Sequence, residues 1–445
     1  MDTSSAVSLA DSLNLGCMCK TLNPDRLREQ LEAAPSLTGM VQGLATSHPH
    51  LFSETAVFLD ARMRDALADT VAAIERVIAL PLYQNHVLTQ AADIARHAVA
   101  AHGVFMGFDF HMGADGPRLI EINTNAGGAF LNAALARAHR ACCGSMQALV
   151  DSSSNLLGLD QVLRDMFVAE WQAQRGATPL RTILIVDDAP ETQYLAPEFA
   201  LARQLFMNHG ITAVVADARA LIFHDGRLWH PKLGADQSVD LIYNRLTDFD
   251  FSGPDHAALH DAYLHDAVVL TPHPRAHALY ADKRNLITLG DPSLLASWRV
   301  SERDIRLLQA AIPHTELVTP ERAEDLWSRR RRLFFKPVAG YGGKAAYRGD
   351  KLTRGVWSEI IRGGFIAQEL VLPSERLVEV DGQPKRLKLD IRAYTYQGQI
   401  QLLAARTWTG QTTNFRTAGG GFSPVVVLPA ADLSNASETP ASCDP

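Results

Sequence analysis

Hydrophobic and polar positions along the first quarter of the chain predict helices followed by two strands. Residues 60–80 carry apolar side chains at three- and four-residue spacing, which predicts an amphipathic helix that Pro81 ends. A second helix is predicted over residues 84–102, and strands are predicted over residues 104–112 and 117–123. The first 82 residues are therefore expected to be mostly helical, and they carry no recognisable chemistry.

The middle of the chain has the pattern of a parallel α/β unit. A continuous apolar strand at residues 181–188 is followed by a predicted helix at 198–210 and a strand at 211–216. Strand, helix and strand at this spacing predict a parallel sheet. The pattern continues in predicted strands at residues 239–246 and 267–271.

From residue 282 onward the pattern changes to strands separated by tight glycine turns. An antiparallel sheet is predicted from the strands at residues 333–337, 364–372, 388–396 and 400–407. Residues 430–445 have no hydrophobic period and are predicted to be a frayed tail.

Composition narrows the class of protein. A chain of 445 residues suggests about three domains. No apolar run reaches the ~18 residues of a membrane span, and a net charge of −7 argues against a general nucleic-acid binder. The start lacks a basic stretch followed by an apolar core, so a soluble, cytoplasmic protein is expected. Five cysteines, at spacings unlike those of common zinc or redox pairs, fit reduced thiols there.

The clearest chemical pattern is an acidic hairpin. Apolar residues alternate in it with three polar ones, Asp109, Glu121 and Asn123. A three-residue turn at 114–116 would pair Gly113 with Pro117 and place Asp109 opposite Glu121, whereas a two-residue loop would put them on opposite faces. In the first register these oxygens suit magnesium; an amphipathic hairpin facing solvent is the alternative.

A glycine-rich turn over residues 123–128 favours the magnesium interpretation, because such a turn lets a ligand approach the backbone closely. His111 lies on the same face as Asp109, so it could support the metal ligands. An exposed strand residue is the simpler interpretation.

Lys336 ends a strand, and the segment 340–344 after it is glycine-rich. Backbone amides in such a loop can bind phosphate oxygens. The spacing matches neither a Walker loop nor a dinucleotide-binding fingerprint, and a plain glycine-rich hairpin turn is an equal alternative.

Further candidates follow on later strands. Residues 365–370 form an apolar strand that ends in polar residues and could present its edge to a purine. Asp390 and Arg392 alternate on one strand and Arg406 lies on the next. Arginines on one sheet face repel each other without an anion between them, so they suggest an oxyanion or phosphate site, with ion pairing to Asp390 as the alternative.

Together these motifs resemble the ATP-grasp superfamily. The resemblance rests on Lys283, residues 313–315, Lys336, 340–343, Gln368 and Glu369, 390–392, Arg406, Asn414 and the set Asp109, Glu121 and Asn123. The acidic hairpin comes early here and last in most members, so the chain resembles the circularly permuted branch that includes glutathionylspermidine-synthase-like proteins.

An α/β (α+β) fold is implied. Its expected parts are an N-terminal helical cap (1–82), a permuted ATP-grasp piece with the metal ligands (83–150), a parallel α/β pre-ATP-grasp substrate domain (180–280), the ATP-grasp core (281–428) and a flexible tail (429–445).

The resemblance also implies roles. ATP would be bound by Lys283, Lys336, Gly340, Tyr341, Gly342, Gly343, Gln368, Glu369 and Leu370. Magnesium would be bound by Asp109, Glu121 and Asn123, and Arg406, Arg392 and Lys336 would be catalytic. Candidate substrate contacts are Arg245, Asn125, Asn414 and Arg416. Ala126 stands where many relatives have proline, which loosens that turn. Arg245 ends a strand of the parallel unit, where it could bind a substrate carboxylate or form a surface salt bridge.

The expected activity is that of an ATP-dependent carboxylate–amine ligase. ATP and Mg²⁺ would be its cofactors, and a small acid and an amine or peptide its substrates, with no nucleic acid or membrane partner; an oligomer is open. Two alternatives remain: a small-molecule kinase on the same fold, and a nucleotide-binding regulatory protein without turnover.

Overall fold

The computed structural model describes residues 8–38, 41–113, 115–141, 158–234, 236–340 and 345–429. The predicted tail at 430–445, Ala114 and the glycine-rich residues Tyr341, Gly342 and Gly343 lie outside them. Among the helices of these ranges, none is both long enough and apolar enough to cross a bilayer.

The helices and strands alternate along the described ranges. The α-helices span Leu9–Gly16, Pro24–Glu32, Val41–Ser47, Ala61–Ile78, Pro81–Leu88, Ala129–Ala138, Leu159–Arg175, Ala196–Asn208, Ala257–Leu264, Pro274–Ala276, Asn285–Leu289, Pro292–Ser297, Glu302–Ala311, Ala323–Arg329 and Arg354–Ile360. The strands are β1 (Val57–Asp60), β2 (Met106–Gly113), β3 (Gly116–Asn123), β4 (Thr182–Asp187), β5 (Thr212–Asp217), β6 (Ile222–His224), β7 (Arg227–Trp229), β8 (Leu241–Asn244), β9 (Val269–Thr271), β10 (Thr315–Leu317), β11 (Leu333–Pro337), β12 (Tyr347–Arg348), β13 (Phe365–Glu369), β14 (Ser374–Val380), β15 (Gln383–Tyr396), β16 (Gln399–Trp408) and β17 (Gly421–Leu428).

The largest sheet is built from both ends of the chain. Its order is β1-β17-β16-β15-β2-β3, and β14 pairs with β15. The early strand β2 pairs with the late strand β15, so Asp109 lies opposite Arg392. β1 pairs in parallel with β17, so the N-terminal region adds a strand to this sheet besides its helices.

The acidic hairpin reaches the predicted pairing by a different route. Asp109 does lie opposite Glu121, but Gly113 pairs with Gly116 and Met112 with Pro117, so the predicted three-residue turn is wrong. A bulge next to Asp109 leaves Ile120 without a partner and restores the register that a two-residue loop alone would have shifted. Both carboxylates therefore lie on one face of the hairpin.

The parallel α/β unit is confirmed. The second sheet has the order β5-β4-β8-β9, and all of its neighbouring strands run parallel. Helix Ala196–Asn208 connects β4 to β5. The next strand, β8, lies on the other side of β4, which creates a topological switch point between β4 and β8.

The later strands form two sheets rather than the single antiparallel sheet predicted. β11 and β13 belong to a small sheet of order β10-β13-β11-β12, whereas β15 and β16 belong to the large sheet. Each sheet has its own apolar core: Trp357 and Phe335 pack in the small one, and Phe108 and Ile391 in the large one. Strand pattern alone does not show which strands pair, because partners depend on these separate cores.

One predicted helix is also wrong. Residues 84–102 contain the end of helix Pro81–Leu88 and a short 3₁₀ turn at Asp93–Arg96. After Leu88, the hydroxyl of Thr89 donates to the carbonyl of His86, a local bond that competes with continuation of the helix.

An aromatic core joins the large sheet to the parallel sheet. The ring of Phe105 lies 5.9 Å from that of Tyr243 on β8 and 6.4 Å from that of Tyr394 on β15. The first pair is tilted and the second is edge to face, and aromatic rings at these centroid separations pack favourably. This packing fixes the carboxyl end of β8 beside the face of the large sheet that carries the acidic hairpin.

Candidate functional site

Asp109 is a buried carboxylate that is hydrogen-bonded to two arginines. Arg392 donates to it from Nε at 2.6 Å and from Nη2 at 2.7 Å, and Arg406 donates from Nη2 at 2.8 Å. Burial alone would raise the pKa of Asp109, but the charges and hydrogen bonds of these arginines lower it to about 2. Asn123 adds a fourth hydrogen bond at 3.1 Å, so the Asp109 oxygens are already occupied by protein donors.

Asp390 completes the arginine cluster from the neighbouring strand. It accepts hydrogen bonds from Arg406 Nε at 2.9 Å and Nη2 at 2.8 Å, because β15 and β16 pair these two residues directly. Thr413, in the loop after β16, donates to the same carboxylate at 2.9 Å. The alternating pattern of residues 390–392 indicated this face, but Thr413 carried no sequence signal.

Glu121 is more open than Asp109. About a quarter of its side chain is exposed, and its Oε2 lies 4.0 Å from Lys283 Nζ. Burial would raise the pKa of Glu121, but the nearby charges of Lys283 and Lys336 lower it overall. Asn123 donates its amide nitrogen to both Asp109 and Glu121, which leaves its amide oxygen as an acceptor.

Lys336 is a buried cation beside the acidic hairpin. Its Nζ donates to Gln368 Oε1 at 2.9 Å and to the carbonyl of Ile120, the bulged residue, at 2.8 Å. Burial lowers the pKa of Lys336 to about 8. Lys283 Nζ donates to the carbonyl of Gly340 at 3.0 Å. Both predicted lysines and Gly340 therefore lie together; the rest of the predicted phosphate loop is outside the described residues.

The predicted base-binding segment lies at the end of β13, an inner strand of the small sheet that pairs with β10 and β11 and so leaves no free strand edge for a purine. Gln368 is buried and bonded to Lys336, whereas the Glu369 side chain is half exposed, 3.7 Å from Arg118. The backbone nitrogens of Glu369 and Leu370 donate to the carbonyls of His314 and Arg332.

The turn at 123–128 packs against the carboxyl end of β8. Asn125 Oδ1 accepts a hydrogen bond from Arg245 Nη1 at 2.7 Å, so these two candidate substrate contacts bind each other. Arg245 is buried and lies 3.8 Å from Glu198, which excludes the surface salt bridge considered from sequence. Within the described ranges, Arg245 Nε is buried and has no hydrogen-bond partner. One donor of the buried guanidinium is therefore unsatisfied by the described residues.

Sequence analysis missed Glu198. Its fully buried carboxylate accepts hydrogen bonds from the backbone nitrogens of Gly128 and Phe130, at the start of helix Ala129–Ala138. A carboxylate is favourable at a helix N-terminus. Because Glu198 lies in the first turn of a different helix, 70 residues after Gly128, no local pattern revealed this role.

The side chains of His111 and Asn414 both contact backbone carbonyls. His111 is largely buried rather than exposed; its Nδ1 lies 2.9 Å from the carbonyl of Val371, and burial lowers its pKa. Asn414 Nδ2 donates to the carbonyls of Thr409 and Thr412, so its side chain is engaged in holding its own loop. Arg416 lies exposed on that loop.

Four cations and three carboxylates thus converge on one face. They are Lys283, Lys336, Arg392 and Arg406 with Asp109, Glu121 and Asp390. Within the described residues, no three His, Cys, Asp or Glu side chains gather to hold a metal ion by themselves. Glu121 and the Asn123 amide oxygen still fit magnesium in the way such ions bind nucleotides, by one or two protein oxygens plus phosphates. The four cations exceed the three carboxylates by one charge, and Arg406 forms the ion pair with Asp390 that the sequence allowed as the alternative.

Comparisons with known proteins give a likeness in fold only. No family model matches the sequence, and no curated protein matches it. The structure resembles the apo form of a glutathione-synthetase-like effector from Globodera pallida, with a TM-score of 0.55 and 12% identity over 91% of this chain and 98% of that one.

Two weaker likenesses were found. A protein from Methylobacillus flagellatus assigned as a gamma-glutamylcysteine synthetase has a TM-score of 0.44 and 13% identity, over 81% of this chain and 86% of that one. The ATP-grasp ligase PsnB, in complex with a minimal precursor, has a TM-score of 0.29 and 12% identity, over 57% of this chain and 92% of that one. The likeness in fold rests on the first of these structures, that of the glutathione-synthetase-like effector.

Proposed function

We propose that this protein is an ATP-dependent carboxylate–amine ligase of the ATP-grasp type, with its motifs in circularly permuted order. The observation that carries the proposal is the convergence of two lysines and two arginines on the acidic hairpin. Buried cations at this density favour a ligand of high negative charge, such as a nucleotide triphosphate. The pairing of the early strand β2 with the late strand β15 supports the permuted order.

Nucleotide binding is assigned to β11 and the end of β13 in the small sheet, together with Lys283. Lys283 and Lys336 are proposed to contact the α- and β-phosphates, and residues 340–343 to cover them. The segment 368–370 is proposed to hold the adenine and ribose. The support is that Lys336 and Gln368 are hydrogen-bonded to each other, so a phosphate contact and a base contact share one strand pair.

The acidic hairpin is proposed to hold Mg²⁺ through Glu121 and Asn123, where the ion would neutralise phosphate charge. For Asp109 the arginine contacts favour a modified role. With four hydrogen bonds from protein donors, its carboxylate is better suited to orient Arg392 and Arg406 than to bind an ion directly.

In the proposed reaction the substrate carboxylate attacks the γ-phosphorus of ATP, the bond to ADP breaks, and an acyl phosphate forms. The amine then attacks the acyl carbon, loses a proton and displaces phosphate, which gives an amide. Arg392 and Arg406 are proposed to stabilise the charge on the transferring phosphoryl group. Arg245 is proposed to bind a substrate carboxylate through its unpartnered Nε, with Asn125 holding its other end; Arg416 is the weaker candidate, and Asn414 acts through its loop.

The test is ADP release by the purified chain across a panel of carboxylic acids, each with and without amines. Turnover that requires both an acid and an amine, with an amide as product, supports ligation. Turnover with an acid or alcohol alone and a stable phosphorylated product would make the protein a kinase. Binding of ATP without any turnover would favour a regulatory role, and failure to bind ATP would refute the family assignment.

A further inference from the structure

A cavity of about 540 Å³ lies between helix Val41–Ser47 and the segment that leads into helix Ala196–Asn208. This volume is within the range of about 300–1,000 Å³ that is typical of small-molecule sites. The lining is mixed: its apolar residues are Leu44, Ala196 and Pro197, and its polar residues include Ser47, Glu191, Thr192 and Gln193. The rings of His48 and Tyr194 form another part of the wall, with their centroids 4.5 Å apart.

The wall formed by His48 is held in place by hydrogen bonds. His48 Nε2 lies 2.9 Å from the carbonyl oxygen of Tyr194, which can only accept, so Nε2 carries the proton. The other nitrogen, Nδ1, lies 2.7 Å from the hydroxyl oxygen of Ser47, whose hydrogen is donated to the carbonyl of Gly43 at 2.8 Å. The bond from His48 to the carbonyl of Tyr194 links the two sides of the cavity.

One connection leads from the cavity to the arginine cluster. The ring of Tyr194 stacks on that of Phe415, with centroids 5.6 Å apart and an interplanar angle of 25°. Phe415 lies two residues after Thr413, whose hydroxyl donates a hydrogen bond to Asp390. Asp390 in turn accepts a hydrogen bond from Arg406. The cavity wall therefore rests on the same loop that contacts the proposed catalytic arginine.

A second, independent connection leads to the glycine turn. Leu195, between two lining residues, lies against Gly127 so closely that a Cβ there would be 2.5 Å from Leu195 Cδ1. The carbonyl of Gly127 accepts hydrogen bonds from Tyr394 at 2.7 Å and Arg392 at 3.5 Å. Tyr194 and its neighbour Leu195 thus connect the cavity wall with the loop that carries Thr413 and with the glycine turn, each of which contacts the arginine cluster.

We infer that this cavity binds the side chain of the amine substrate, and that the amine is peptide-like with an apolar or aromatic side chain. The inference rests on the proposed ligase function. It follows from the apolar and ring-bearing residues of the lining, and from a volume much larger than ammonia or glycine would need. Glu191 also lines the cavity, and its carboxylate would instead favour an amine with a cationic side chain. The experiment must therefore distinguish apolar from cationic side chains.

The test measures ADP release with a fixed productive acid and four amines: glycinamide, leucinamide, phenylalaninamide and lysinamide. The KM for leucinamide and phenylalaninamide should be about 10-fold or more below that for glycinamide, because an apolar pocket discriminates by side-chain burial. Equal KM values, or a preference for lysinamide, would overturn the inference.

Two variants then locate the preference. Ser47→Phe should fill the cavity and Tyr194→Ala should remove its wall, so each should raise the KM for phenylalaninamide about 10-fold while the Kd for ADP with Mg²⁺ stays unchanged. The matched control is His260→Phe, in a separate cavity of about 400 Å³ beside residues 250–254, which should leave every constant unchanged.

Unchanged KM values in both variants would overturn the inference and leave the proposed ligase intact. A wild-type chain that binds no ATP would instead refute the proposed function itself.

Discussion

At the scale of single residues, the two carboxylates of the acidic hairpin differ in what surrounds them. Asp109 is fully buried and gripped by Arg392 and Arg406, whereas Glu121 is partly open and only 4.0 Å from Lys283. A buried charge depends on its partners, and removal of one partner leaves the others uncompensated. The same chemical group therefore stabilises the fold at one position and is available to a ligand at the other.

Two substitutions separate these roles. Asp109→Asn should lower the free energy of unfolding by about 3–5 kcal/mol, because buried Arg392 loses its counter-charge and Arg406 is left with Asp390 alone. Glu121→Gln should change it by only about 1 kcal/mol and abolish magnesium-dependent ADP release. Urea denaturation and an ADP-release assay measure both effects. Equal destabilisation by the two changes, or activity that survives in Glu121→Gln, would contradict this division.

Lys336 should make nucleotide binding sensitive to alkaline pH. Burial lowers its pKa to about 8, so its charge, and with it the affinity for ADP, should fall as the pH rises through 8. Calorimetric titrations from pH 7 to 9.5 measure the decline, with proton uptake on binding near pH 8.5. Lys336→Arg should flatten the profile, since guanidinium stays charged; a profile that kept its slope in this variant would exclude Lys336.

The sign of the effect on stability is the opposite. Between pH 8 and 10.5 the unfolded chain retains a proton on Lys336 that the folded chain has lost, so the contribution of this group to stability rises with pH. Comparison with Lys336→Met in denaturant titrations at pH 7.5 and 10 isolates that contribution. A wild-type advantage that shrinks over this interval would contradict the lowered pKa.

At the scale of elements, a bulge and a glycine turn place the site. The bulge at Ile120 keeps Asp109 and Glu121 on one face and turns a carbonyl toward Lys336. At the end of the same hairpin strand, Gly128 has a φ of +99° and begins helix Ala129–Ala138. A Cβ at Gly128 would lie 2.3 Å from Phe422 Cζ, so only glycine fits between the turn and β17.

Gly128→Ala should therefore destabilise the protein by about 3 kcal/mol or more, through left-handed strain and the clash with Phe422. Gly226→Ala is the matched control, because Gly226 also has a positive φ but open space around it, and should cost only about 1 kcal/mol. Thermal unfolding of both variants measures the difference. Equal losses of stability in the two variants would show that backbone strain alone, without the clash with Phe422, explains the glycine at position 128.

At the scale of the whole molecule, the two ends of the chain complete one sheet. β2 and β3 extend the sheet beyond β15, and β1 covers the edge at β17. Arg76 on helix Ala61–Ile78 also pairs with Asp304 at 2.6 Å, which ties the N-terminal region to a helix that precedes the small sheet. The candidate site exists only where these distant segments meet.

Deletion of residues 1–150 should therefore prevent folding rather than remove a dispensable cap. The remaining chain would expose the paired edge of β15 and the apolar core that Phe108 and Phe110 fill. We expect loss of near-ultraviolet circular dichroism and aggregation on gel filtration. Deletion of 430–445, the tail predicted from sequence, is the control and should leave a folded, cooperative protein. A folded fragment 151–445 would contradict this account.

Local sequence pattern was sufficient for much of the secondary structure. The helix over 61–78, the strands of the parallel unit and the acidic hairpin follow from hydrophobic period, because each depends on side chains that are near neighbours in the chain. The alternation of Asp109, Glu121, Asp390 and Arg392 likewise identified the residues that converge. Their proposed roles as ligands and catalysts remain predictions.

Tertiary structure decided how these pieces meet, because pairing and burial depend on residues far apart in the sequence. Only the fold shows that a bulge sets the hairpin register, that β11 and β15 lie in different sheets, and that Arg245 is buried beside Glu198 rather than exposed. It also shows that the buried carboxylate of Asp109 is hydrogen-bonded to Arg392 and Arg406. The sequence by itself determined which groups carry charge; long-range packing determined which of those charges are already neutralised and which stay open to a ligand.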